Sequence, residues 1–138
     1  MLAGKAAASM AKNAVKACAT VTGNEWAAAQ NDLTVEVIND ERVIADESME
    51  VQLIELPDGN PKADNYLMVY LPRQKLLYST SFIYPIPEAV FPPKESIPLS
   101  RYFVEWLDNS GLDVEHIYNV HGMGKVEQWQ NDAIRNLP

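Results

Sequence analysis

Residues 65–82 read NYLMVYLPRQKLLYSTSF, two apolar runs separated by Pro72, Arg73, Gln74 and Lys75. That pattern predicts a β-hairpin with a four-residue connection. Tyr66 to Leu71 is apolar at every position, so the first strand is expected to be buried on both faces. Such a sheet needs cover above and below.

Upstream of the hairpin the period is also that of strands. Leu33, Val35 and Val37 alternate with Thr34 and Glu36, and Met49, Val51 and Leu53 alternate with Glu50 and Gln52. Both segments predict strands with one wet face. Asn39-Asp40 and the run from Pro57 to Pro61 supply turns. Downstream, Pro85, Pro87, Pro92, Pro93 and Pro98 exclude any regular element over 83–98 and mark a long loop of the kind that often lines a site. A helix follows over 97–109, with Ser96 as its cap, Pro98 in its first turn and Gly111 beyond its end. Leu99, Phe103, Trp106 and Leu107 form its apolar stripe. A short strand over 115–120 and a last helix over 125–137 complete the chain, the latter with Val126, Trp129, Ala133, Ile134 and Leu137 on its apolar face. Residues 1–30 are an alanine-rich helical segment with Gly23 as a stop, and residues 31–138 form the rest of a single domain.

Composition bounds the function. The 138 residues are 47% hydrophobic and 22% charged, an ordinary globular balance, with 11 Lys and Arg against 19 Asp and Glu for a net charge of −8. Residues 1–30 carry Lys5, Lys12 and Lys16 against Glu25, so the net negative charge belongs to the remainder. An acidic surface disfavours nucleic acid and anionic membrane as partners. Lys12 and Lys16 break every apolar run at the start that could serve as a secretion signal, and no segment is apolar over the ~20 residues of a membrane span. A single cysteine, Cys18, forms no internal disulfide, and a cytoplasmic protein is expected.

Little in the side chains points to chemistry. His116 and His121 are five apart on one strand, on opposite faces, and no HxH, HExxH or CxxC accompanies them. Gly122-Met123-Gly124-Lys125 leads into a helix, yet lacks the spacing of a phosphate-binding loop and reads as a tight turn. Ser79, Thr80 and Ser81 end a strand without a nucleophile elbow around them. Nine carboxylates between Asp32 and Asp58 face only Arg42, which reads as a solvated surface rather than a calcium loop.

Residues 41–124, from ERVIADESMEVQLIELPDGNPKADNYLMVYLPRQKLLYSTSF to HIYNVHGMG, resemble the second half of a metallo-β-lactamase-fold hydrolase. The resemblance rests on the Gly59-Asn60-Pro61 turn, the YLP and LL segments of the hairpin, and the terminal His121-Gly122. It implies an α/β fold: an antiparallel-rich sheet of about five strands with two or three helices, equal to half of an αββα sandwich. It also implies where the family's metal ligands fall. The histidine after Asn-Pro is Lys62 here, Asp64 matches a neighbouring aspartate that is not a direct ligand, and the metal-bridging aspartate falls at Ser81. Only His121 is kept. The family's HxHxDH ligand loop has no counterpart in this chain. A lysine in place of a ligand sets a cation where a dication belongs, so no metal and no cofactor is expected, and Lys62, Asp64, Ser81 and His121 are read as vestiges of a lost site.

The expected function is therefore a non-catalytic, metal-free module that binds its own copy as a homodimer or takes a small-molecule ligand near the proline-rich loop. The expected dimer contact is Met68, Tyr70 and Leu77 or the alternate residues of the same strands, with Phe91. Two alternatives stand beside it. One is a hydrolase with metal-independent chemistry on Ser81, Lys62 and His121, in which a neighbouring base activates a hydroxyl. The other is one subunit of a split hydrolase completed by a separate first-half protein.

Overall fold

The hairpin foreseen in residues 65–82 sits in the middle of a six-stranded sheet. A computed structural model describes residues 34–138 together with residues 2–3, 8–10 and 13. Two short strands, β1 (Leu2–Ala3) and β2 (Glu36–Val37), pair in parallel. The main sheet follows as β3 (Glu41–Ala45), β4 (Glu50–Glu55), β5 (Leu67–Leu71), β6 (Leu76–Thr80), β7 (His116–Asn119) and β8 (Lys125–Val126), neighbours in that order. All pairs are antiparallel except β6 with β7. That parallel pair demands a crossover, and helix α1 (Ile97–Asn109) provides it. Helix α2 (Gln128–Arg135) ends the chain's regular structure. The fold is mixed α/β as expected, with one more strand in the sheet than the sequence suggested. The sequence signals neither β3 nor β8, and the strand expected over 33–37 stands outside this sheet as β2, paired with β1. The residues of β3 are all exposed; a solvated edge strand has no apolar face to reveal it by period. Residues 8–10 and 13 are helical. The rest of the alanine-rich segment, including Cys18 and the foreseen turn at 25–30, lies outside the described residues.

Cross-strand register sorts the side chains into two faces. Gln52, Tyr70, Leu77, Ile117 and Val126 stand opposite one another in successive strands. From Tyr70 onward this row is buried. It joins Leu56, Met68, Phe82, Ile83, Phe103, Val104 and Ile134 in one core under α1 and α2. Phe82 stacks on Phe103 and Tyr102 and meets the edge of Tyr66. The other row is Leu53, Val69, Tyr78 and Tyr118, half-buried as far as Tyr78 and exposed at Tyr118. The strands foreseen as buried on both faces are thus fully buried on one only.

Local chemistry explains where elements stop. Pro72–Gln74 makes a 3-10 turn and Lys75, at φ 48°, reverses the chain into β6. Lys75 then ties down the start of β7 through Asp113 at 2.9 Å and Glu115 at 2.7 Å. The hydrogen bond to Glu115, before that to Asp113, holds its ammonium charged well above the ordinary lysine range. Ser96 stands at the N-terminus of α1, but its hydroxyl donates to the Pro93 carbonyl instead of capping the helix. The last helix is shorter than expected. Lys125 and Val126 pair with Tyr118 and Ile117 as β8, and Glu127 and Gln130 form a reciprocal capping box that starts α2 at Gln128. Trp129 is 37% exposed and rests edge-on against Phe91, so it is not the core anchor its position suggested.

Arg135 grips Asp108 at 2.6 and 3.0 Å and joins α2 to α1. That contact holds the Asp108 carboxyl below its ordinary pKa. A carboxyl more acidic in the folded chain contributes its full stabilisation above the unfolded pKa of about 4 and loses it as pH falls through the folded value. Asp108→Asn should cost less than about 1 kcal/mol at neutral pH, because the pair is solvent-screened, and nothing at about pH 2; urea melts at the two pH values check this. Phe103→Ala should cost about 3–5 kcal/mol and Trp129→Ala only about 1–2 kcal/mol, an order that thermal melts would reverse if the tryptophan were the true anchor.

Candidate functional site

The positions singled out by the sequence fall on one turn and at two strand ends. Lys62 and Asp64 lie in an exposed turn shaped by buried Asn60. Its side-chain oxygen accepts the backbone N–H of Lys62 and of Ala63, both at 3.0 Å, while its NH2 donates to the Ala63 carbonyl. This is the Asn-initiated turn expected of a Gly-Asn-Pro sequence. The Lys62 side chain makes no hydrogen bond or ion pair among the described residues. Ser81 follows β6 and is 8% exposed; no hydrogen-bonded base faces its hydroxyl. His121 follows β7, is exposed, and stacks on Tyr84 with ring centroids 5.6 Å apart.

The backbone around Ser81 is tightly held. Thr80 has φ 53°, a left-handed conformation that a β-branched residue adopts only under constraint. Its hydroxyl bonds the Tyr66 phenol. Burial first, then the nearby Tyr78 and Tyr84 phenols, pushes that Tyr66 group up, so it stays protonated at neutral pH. The next residues are strapped through their carbonyls. Phe82 accepts from the Ser100 hydroxyl at 2.8 Å, Ile83 from the Asn119 amide, Pro85 from the Met123 N–H at 2.8 Å, and Ile86 from the Gln130 amide. Asn119 is buried and works in both directions, since its oxygen also accepts the His121 N–H at 2.9 Å. Gly122, at φ 69°, passes so close to the Pro85 carbonyl that any Cβ would collide with it.

Chemically this is a rigid corner with little reactivity. No hydrogen bond or ion pair joins any two of Lys62, Asp64, Ser81 and His121 among the described residues. No group of three or more His, Cys, Asp or Glu is placed to hold a metal ion among those residues either. A dinuclear hydrolytic centre needs such a group to lower the pKa of bound water, so the residues present do not fit the metals of the resembled family. Sequence reasoning passed over Asn119 and Tyr84, and read Gly122 only as part of a tight turn. Their signal was a polar residue closing the apolar run HIYNV, followed by a glycine where the chain must turn.

Asn119→Ala should therefore cost about 1–3 kcal/mol, because it leaves a buried carbonyl and an N–H unpaired. Gly122→Ala should be at least as damaging, while the exposed His121→Ala should cost under about 1 kcal/mol. Denaturant titration of the three variants orders them.

No family model matches the sequence, and no curated protein matches it. Among solved structures, the flavodiiron protein from Giardia intestinalis is similar over 97% of this chain and 34% of that one, with a TM-score of 0.57 and 14% sequence identity. The chain thus spans about a third of the length of that neighbour. At that identity the likeness shows a shared fold alone, coarsely in line with the resemblance to the metallo-β-lactamase fold. No helix among the described residues is long and apolar enough to cross a membrane.

Proposed function

We propose that this chain is a non-catalytic, metal-free metallo-β-lactamase-like protein that acts by binding, first of all to a second copy of itself. The observation that carries the proposal is the row of Leu53, Val69, Tyr78 and Tyr118, which crosses four strands on the face away from α1 and α2. Leu71 and Leu76 form a second apolar pair on the same face, beside His116. In a full αββα sandwich that face meets another sheet, and a contiguous apolar patch of this kind marks an interaction surface. A two-fold copy is the commonest closed arrangement that covers it. Met68, Tyr70 and Leu77, named above as alternatives for the contact, are committed to the core, which leaves the alternate residues Val69, Leu71, Leu76 and Tyr78. Phe91 is packed on Trp129.

The structural neighbour is a flavodiiron protein. Nothing comparable is proposed here, because Lys62 and Ser81 occupy the positions where the resembled family places ligands. A small-molecule ligand is a second reading. A hollow of about 270 Å³ lined by Tyr84, Pro93, Glu95, Ser96 and Leu99 beside the proline-rich loop favours it.

Sedimentation at micromolar concentration should report twice the chain mass. Tyr78→Asp and Val69→Glu should each weaken association by about 30-fold or more, the size of a lost interface anchor, while circular dichroism stays unchanged. A monomer at every concentration overturns the dimer. Elemental analysis should find no stoichiometric zinc, iron or manganese; a bound metal lost on His121→Ala would overturn the metal-free reading.

A further inference from the structure

The hollow of about 270 Å³ beside the proline-rich loop is walled mainly by apolar atoms, those of Tyr84, Pro93 and Leu99. Its walls are held in place by contacts already in the fold. Tyr84 stands in the strapped segment after β6, with the Met123 N–H on the carbonyl of the next residue, Pro85, and the His121 ring stacked on its own. Ser96, also in the lining, donates its hydroxyl to the Pro93 carbonyl at 2.9 Å. The one charged side chain in the lining is Glu95. It is exposed and makes no ion pair or hydrogen bond among the described residues. Asp108, Asp113, Glu115 and Glu127, by contrast, are each held by an arginine or a lysine. The hollow therefore combines an aromatic ring, two aliphatic surfaces and one carboxylate whose charge is unanswered.

We propose that this hollow binds a small organic cation, an ammonium group on a compact apolar body, with the ammonium at Glu95 and the body against Tyr84, Pro93 and Leu99. The proposal deepens the small-molecule reading above and rests on it; what it adds is the charge of the ligand. An ammonium gains from the carboxylate and from the electron-rich face of a tyrosine ring. The net charge of −8 favours its approach. An anion meets the Glu95 carboxylate and is repelled, and a neutral molecule gains from apolar contact alone. The volume suits a ligand smaller than a drug-sized molecule, and walls fixed in advance lower the cost of binding it.

The test uses the full chain, isotope-labelled and at low salt, titrated with benzylammonium and with benzyl alcohol, its neutral counterpart of the same shape. Benzylammonium should shift the backbone resonances of Tyr84, Glu95, Ser96 and Leu99. It should bind about fivefold more tightly than the alcohol, as much as an exposed carboxylate and one ring supply together. Glu95→Gln keeps the shape of an exposed side chain and removes its charge; it should bring the ammonium down to the affinity of the alcohol and leave the alcohol unchanged. Raising the salt to about 0.5 M should narrow the gap in the unmodified chain. Equal binding of the two probes at these four residues, or a preference that survives Glu95→Gln, would overturn the cation and leave the hollow as a small-molecule site. No shift at the four residues with either probe would overturn both.

Discussion

A buried loop is tolerable only if its backbone carbonyls find donors. That requirement organises the end of the sheet where β6 and β7 run parallel. From Thr80 to Ile86, five carbonyls accept hydrogen bonds from Val120, Ser100, Asn119, Met123 and Gln130. The donors come from both helices, from the last residue of β7 and from the turn after it. One irregular segment thereby fixes how the crossover helix leaves the sheet, how the last helix returns to it, and where Tyr84 and His121 meet. Remove the strapping and the parallel pair loses the geometry that its crossover demands.

The corner so built carries little reactive chemistry among the described residues. In the resembled family the same strand ends present ligands to metal, and here they present a lysine in an exposed turn, a serine with no base, and one histidine stacked on a tyrosine. These positions lie on turns and strand ends, whereas the aromatic cluster of Tyr66, Phe82, Tyr102 and Phe103 packs in the core beneath. Fold and site draw on different residues, so one can decay while the other persists. The acidic surface behaves likewise. Most carboxylates of 36–58 lie on β3, its turns and the sheet edge, where charge discourages a strand edge from pairing with another chain.

Much of this was legible in the sequence, and the exceptions have physical reasons. The hairpin showed itself because two apolar runs flank a proline-led turn, and α1 because Leu99, Phe103, Trp106 and Leu107 repeat at helical spacing. β3 was hidden because all its residues are solvated. β8 was hidden because two residues carry no period, and Val126 is buried equally well by strand or helix. Trp129 misled because a large aromatic on an apolar stripe looks like core, yet its partner Phe91 is itself on the loop. The positions of Lys62, Ser81 and His121 could be named in advance. The network around them could not, because Asn119, Ser100 and Gln130 act on carbonyls between 18 and 44 residues away.

Gly122 also bears on how this chain can change over generations. Because a side chain there would strike the Pro85 carbonyl, the two loops do not drift independently. A substitution at 122 becomes acceptable only after the backbone near 85 has moved, and that movement would break the Met123 contact and strain its neighbours on Asn119 and Gln130. The order of mutational steps is thereby restricted. The exposed turn at Lys62 can change one residue at a time, but this corner can be remodelled only by several coordinated replacements.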